Sequence, residues 1–92
     1  YNVVLDYETS AGKLGFLAKR GEEIIAVDVY CNVKQVNEES MKKLIEKAKQ
    51  VNGKPILVVY GSMRIPMSLY ELAKRLGVKL KRVKPYNKIK PH

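Results

Sequence analysis

The run Ile24-Ile25-Ala26-Val27-Asp28-Val29-Tyr30 constrains this chain more than any other feature. A short, nearly unbroken apolar stretch rich in β-branched residues reads as a strand buried in a sheet, not one lying on a wet surface. Asp28 interrupts it. An ionised carboxylate is costly to bury unpaired, so this one calls for a cation, a metal or hydrogen-bond donors. Taken alone, it also reads as a structural carboxylate paired with a neighbouring Lys or with a Tyr hydroxyl.

The flanking segments set the fold class. Val3–Glu8 and Leu14–Lys19 alternate as strands, Thr9-Ser10-Ala11-Gly12 and Lys19-Arg20-Gly21-Glu22 have turn chemistry, and Ile24–Val33 is a third strand. Three consecutive strands on short turns predict an antiparallel meander. The period then changes. Met41, Leu44, Ile45, Ala48 and Val51 recur at helical spacing, with Asn37 as N-cap, Glu38 and Glu39 in the first turn and Asn52-Gly53 at the end. Ile56–Tyr60 predicts a central strand covered on both faces. Ser68 and Glu71 suggest a capping box for a second helix with Leu69, Leu72, Ala73 and Leu76 on its apolar stripe, stopping at Gly77. Val78–Val83 is a last, basic strand. The order β-β-β-α-β-α-β predicts an α/β (α+β) domain with a mixed sheet, spanning residues 1–84 and followed by a basic tail over 85–92.

Charge is unevenly placed. Of the formal +9, residues 1–73 carry ten basic and nine acidic side chains. From residue 74 onward Lys74, Arg75, Lys79, Lys81, Arg82, Lys84, Lys88 and Lys90 meet no acid at all. A localised cationic segment attracts polyanions, so these eight residues are the candidate nucleic-acid contacts, with DNA ahead of RNA. A solvated basic tail and an edge strand guarded by lysines against aggregation are the structural readings of the same residues. Tyr86, inside this segment, has the chemistry to stack on an exposed base.

Composition excludes several classes. With one Cys and one His there is no zinc-ligand spacing and no Ser-His-Asp or Cys-His arrangement. No stretch approaches the roughly 20 apolar residues of a membrane helix, so no membrane partner is expected. The single Cys31 reads as a small buried hydrophobe in a reducing, cytoplasmic setting. Abundant Lys, Glu, Ile and Val with little Gln is a composition like that of proteins from hot environments. Gly61-Ser62-Met63-Arg64 follows a buried strand but lacks the glycines and lysine of a phosphate-binding loop. Tyr70–Val78 looks like the first half of a helix-turn-helix, yet Lys79-Leu80-Lys81-Arg82-Val83-Lys84-Pro85 alternates as a strand, which favours a helix-to-edge-strand unit.

The stretch Lys13–Tyr30, the helix after it, and Gly53-Lys54-Pro55-Ile56-Leu57-Val58-Val59-Tyr60 together resemble the core of PD-(D/E)xK nucleases, nearest to archaeal Holliday junction resolvases. The likeness covers roughly residues 1–62 and rests on element order and apolar pattern more than on identities. It implies a restriction-endonuclease-like core. In that family a second-strand Asp and a third-strand acid hold a divalent cation, and a Lys two residues beyond the acid helps activate water. Carried over, the acid falls on Asp28, the Lys on Tyr30 and the second-strand Asp on Gly15. Asp28 alone matches.

The resemblance therefore implies a nuclease-like fold that has lost catalysis and needs no cofactor, retained to grip nucleic acid through the basic C-terminal strand and tail. It also implies a homodimer or a partner nuclease subunit. One alternative is an active nuclease with a rearranged site, in which Asp28 and Asp6 hold Mg²⁺ or Mn²⁺ and Lys13 or Lys34 replaces the missing ammonium. Another is a structural subunit whose basic tail binds an acidic protein.

Overall fold

The computed structural model describes residues 2–84. Its main sheet has five strands: β1 (Asn2–Leu5), β4 (Phe16–Arg20), β5 (Glu23–Tyr30), β6 (Lys54–Tyr60) and β7 (Lys79–Val83), side by side in that order. A two-stranded arm, β2 (Glu8–Thr9) with β3 (Gly12–Lys13), projects between β1 and β4. Two helices, α1 (Glu38–Gln50) and α2 (Met67–Leu76), connect β5 to β6 and β6 to β7.

The meander is present: β1, β4 and β5 pair antiparallel, whereas β5, β6 and β7 pair parallel through the helical crossovers. The sheet is thus mixed, and the class is α+β. Expected strand 3–8 breaks after Leu5, where Asp6 takes a left-handed φ of 51° and redirects the chain into the arm.

Helix α1 starts at the expected N-cap. Asn37 Oδ1 accepts from the Ser40 amide at 2.9 Å, and Ser40 Oγ accepts from the Asn37 amide at 2.9 Å. The second cap differs from expectation. Pro66 occupies the N-cap of α2 without a side-chain bond, Met67 opens the helix, and Ser68 lies inside it. The proline ring fixes φ at −59°, and a ψ of 145° lies outside the helical range, so the helix begins at Met67 without help from a hydroxyl. Gly77 ends α2 in the left-handed region at φ 85°, as its sequence position requires.

Both helices lie on one face of the sheet. Leu17, Ala26, Leu57, Val59 and Leu80 point toward them and form one core with Met41, Leu44, Ala48 and Ala73. The residues between them in the strands, among them Phe16, Ile25, Val27, Ile56 and Val58, point the other way and line a shallow apolar depression of about 320 Å³. Strand β6 is therefore covered on one face, not two. Its apolar run reflects a sheet that is oily on both sides but has only one layer of helices. Cys31, expected in the core, is exposed just past the end of β5. No helix is long and apolar enough to cross a membrane among the described residues.

Candidate functional site

Asp28 projects from β5 toward the helices and is 6% exposed. Its two oxygens are used separately. The Gly15 amide donates to Oδ1 at 3.1 Å, and Lys47 Nζ donates to Oδ2 at 2.6 Å. Lys47 comes from α1 and also donates to the Lys13 carbonyl at 2.9 Å, which ties helix, arm and central strand together. The side chains of Lys47 and Asp28 are 12% and 8% exposed, so this is a largely desolvated, charge-assisted bond.

The arm makes this geometry possible. Asp6 donates its amide to the Gly15 carbonyl at 3.0 Å, and the Leu14 amide donates to the Tyr7 carbonyl at 2.8 Å. These bonds hold Gly15 against β5. A Cβ built on Gly15 would sit 3.1 Å from the Val27 carbonyl oxygen and 3.4 Å from the Val29 amide nitrogen. The missing side chain is thus what lets the two backbones approach and the Gly15 N–H reach Asp28. Position 15 has no room for a carboxylate without a shift of strand backbone.

Around this pair, Asp6, Lys13, Gly15, Asp28, Tyr30 and Lys47 border one depression of about 290 Å³. The structure thus brings Asp6 and Asp28 to the same hollow, and it supplies Lys47, not Lys13 or Lys34, as the ammonium beside Asp28. Tyr30 shares the Asp28 face of β5. Burial pushes its phenol above the ordinary 10.0 and the Asp28 carboxylate pushes it further, while the Ser40 hydroxyl pulls it down.

These residues do not suit a divalent cation as arranged. The more buried carboxylate already holds an ammonium at 2.6 Å, and among the described residues no three His, Cys, Asp or Glu side chains are grouped to hold a metal.

The basic residues fall into two sets. Lys79 and Lys81 alternate outward from edge strand β7 onto the open sheet face and are exposed, whereas Leu80 and Arg82 turn to the helical side. Arg82 Nη1 makes long bonds of 3.4 and 3.5 Å to the Ser62 and Met63 carbonyls. Lys74 and Arg75 occupy the last turn of α2, where cations favour the helix dipole, on the far side of the sheet from Lys79. Lys84 is exposed directly after β7. Lys88, Lys90 and Tyr86 lie outside the described residues. The contiguous cationic stripe of the sequence is therefore divided by the sheet.

Two functional candidates escape sequence reasoning. Lys47 follows Leu44 by three residues and precedes Val51 by four, so it sits on the apolar stripe of α1; a lysine at such a position opposite a strand carboxylate is a legible signal. Lys54 opens β6 and borders a groove of about 470 Å³ with Lys79 and Lys81, and only the parallel β6–β7 register reveals that proximity. No protein-family model matches the chain, and neither a curated protein nor a solved structure matches it significantly.

Proposed function

We propose that this protein binds nucleic acid without cutting it, using the basic strand β7 and the residues that follow as phosphate contacts on a nuclease-like scaffold. The observation that carries this reading is the exposure of Lys79 and Lys81, neither of which forms an ion pair with a described residue. The sheet fixes the spacing of these lysines along the edge, and on meeting phosphate they release the counterions condensed on it.

The state of the Asp28 site supports the non-cutting half. At the three positions matched to the nuclease motif stand Gly15 without a ligand, Tyr30 without a cation, and Asp28 with its charge taken up by Lys47. The resemblance to PD-(D/E)xK nucleases remains part of this proposal; the mixed sheet with a hairpin, a crossover helix and a parallel strand is compatible with it.

Binding to labelled branched, duplex and single-stranded DNA and RNA, measured across a salt series with and without Mg²⁺ or Mn²⁺, tests both halves. The expected result is affinity that falls steeply with salt and intact substrate throughout. Absent or salt-insensitive binding would sink the reading. Metal-dependent cleavage lost in Asp28→Ala would instead identify the hollow shared by Asp6 and Asp28 as a working site.

A further inference from the structure

We propose that the open face of the sheet is a platform for single-stranded nucleic acid, with bases laid on its apolar centre and phosphates following Lys79 and Lys81 on β7. This rests on the nucleic-acid reading above and goes beyond it, because it selects one surface and one form of the polymer.

The face combines two chemistries. Its centre is apolar, formed by alternate residues of β1, β4, β5 and β6, and large parts of it are wet: Val29 is 45% and Tyr60 43% exposed. Val3 and Leu5 on β1 are exposed on the same face, and the largest apolar patch of a protein is often a binding surface. Two aromatic rings belong to it. Phe16 on β4 is level with Ile56 through the Val27 register, and Tyr60 stands four residues further along β6. The rings are therefore separated by about 10 Å across two strands and about 13 Å along them, room for bases over the exposed Val29 and its β6 neighbour Val58 between them. Lys79 and Lys81 flank this centre one strand away, level with Ile56 and Val58 and about 7 Å apart along the edge.

Charge decides among the occupants. Arg20, Lys54, Lys79 and Lys81 alternate onto this face against the single acid Glu23, which lies 3.6 Å from Lys54. A second copy docking through the same face would bring two net cationic surfaces together, which opposes association. A polyanion is complementary to it. A duplex offers phosphates but keeps its base faces stacked inside, so the apolar centre would gain nothing. A single strand presents phosphates and base faces at once, and aromatic stacking with cationic tracking is how such strands are held.

The experiment is fluorescence anisotropy with labelled oligo(dT), oligo(rU) and a blunt duplex of equal length, on the full chain, with light scattering for mass. The expected result is at least ten-fold tighter binding to a single strand than to the duplex. Tyr60→Ala is expected to weaken single-strand binding about ten-fold and duplex binding hardly at all, with Tyr60→Phe restoring it. Because Tyr60 is exposed at a strand end, neither variant disturbs the core. Lys79→Glu/Lys81→Glu is expected to lower single-strand affinity at least ten-fold. Equal affinity for duplex and single strand, or a neutral Tyr60→Ala, overturns the platform and leaves nucleic-acid binding standing. A dimer in the absence of nucleic acid that Val58→Asp dissociates overturns it in favour of a second copy on this face. No binding to any oligonucleotide overturns both readings.

Discussion

Lys47 Nζ lies 2.6 Å from Asp28 Oδ2, and this ion pair joins α1 to the middle strand of the sheet across 19 residues of sequence. Removing one partner of a desolvated pair leaves a charge with no answer, whereas removing both leaves only a packing problem. Lys47→Met is expected to cost about 3 kcal/mol of folding stability. Asp28→Asn/Lys47→Met keeps an acceptor for the Gly15 amide and is expected to recover more than half of that loss. Urea unfolding of the wild type, both single variants and the double variant measures the coupling. A double variant as unstable as the sum of the two would show that the pair is not what holds α1 to β5.

Gly15 is a close-approach position, and its lack of a side chain is structural. Its hypothetical Cβ meets backbone atoms of β5 at 3.1 and 3.4 Å, and backbone cannot swing aside as a flexible side chain can. Gly15→Ala is expected to destabilise by about 1–3 kcal/mol, a fall in melting temperature of at least about 4 °C for a chain of this size. Gly15→Asp, which restores the motif on paper, is expected to lower stability further and gain no Mg²⁺-dependent cleavage. A stable, cleaving Gly15→Asp protein would mean that the arm yields easily and that the site is one substitution away from activity.

Tyr30 makes the fold sensitive to alkali. Its phenol is raised in the folded state by burial and by Asp28, so the folded protein holds this proton more tightly than the unfolded chain does. That contribution is fully present below the unfolded value of about 10 and is lost as pH rises through the raised folded value. Urea midpoints between about pH 9 and pH 11 are expected to fall more steeply for the wild type than for Tyr30→Phe. Parallel curves would remove Tyr30 from this account.

What the sequence discloses follows from which forces are local. The meander, the Asn37 cap, the αL stop at Gly77 and the strand after α2 are set by turn chemistry and short-range periodicity, and these are written within a few residues. Asp28 as a buried carboxylate in need of a partner is legible for the same reason: one acid breaks one apolar run. Which cation answers it depends on how α1 crosses the sheet, so Lys47 emerges only in three dimensions, although its place on the apolar stripe hints at it. The open face hides behind a real ambiguity. Ile56–Tyr60 is apolar on both sides, and a strand's own residues cannot say whether one layer of helices covers it or two. The split of the basic residues is the same problem at the edge, since alternation along β7 sends Lys79 and Lys81 one way and Arg82 the other.

That split yields a sharp test of where the polyanion runs. Each phosphate neutralised contributes about 0.7 to the slope of log affinity against log salt for a single strand. If the strand follows β7 on the open face, Lys79→Gln/Lys81→Gln removes two such contacts and flattens the slope by about 1.4. Lys74→Gln/Arg75→Gln removes the same formal charge from the last turn of α2, on the helical side of the sheet. Those two cations then act only through the general field, which salt screens within about 10 Å at 0.1 M, so the slope is expected to stay nearly unchanged. Salt titrations of the wild type and the two double variants on one oligonucleotide provide the comparison, the two variants being equal in net charge. A slope flattened more by the α2 pair than by the β7 pair would put the nucleic acid on the helical side and leave the open face to some other partner.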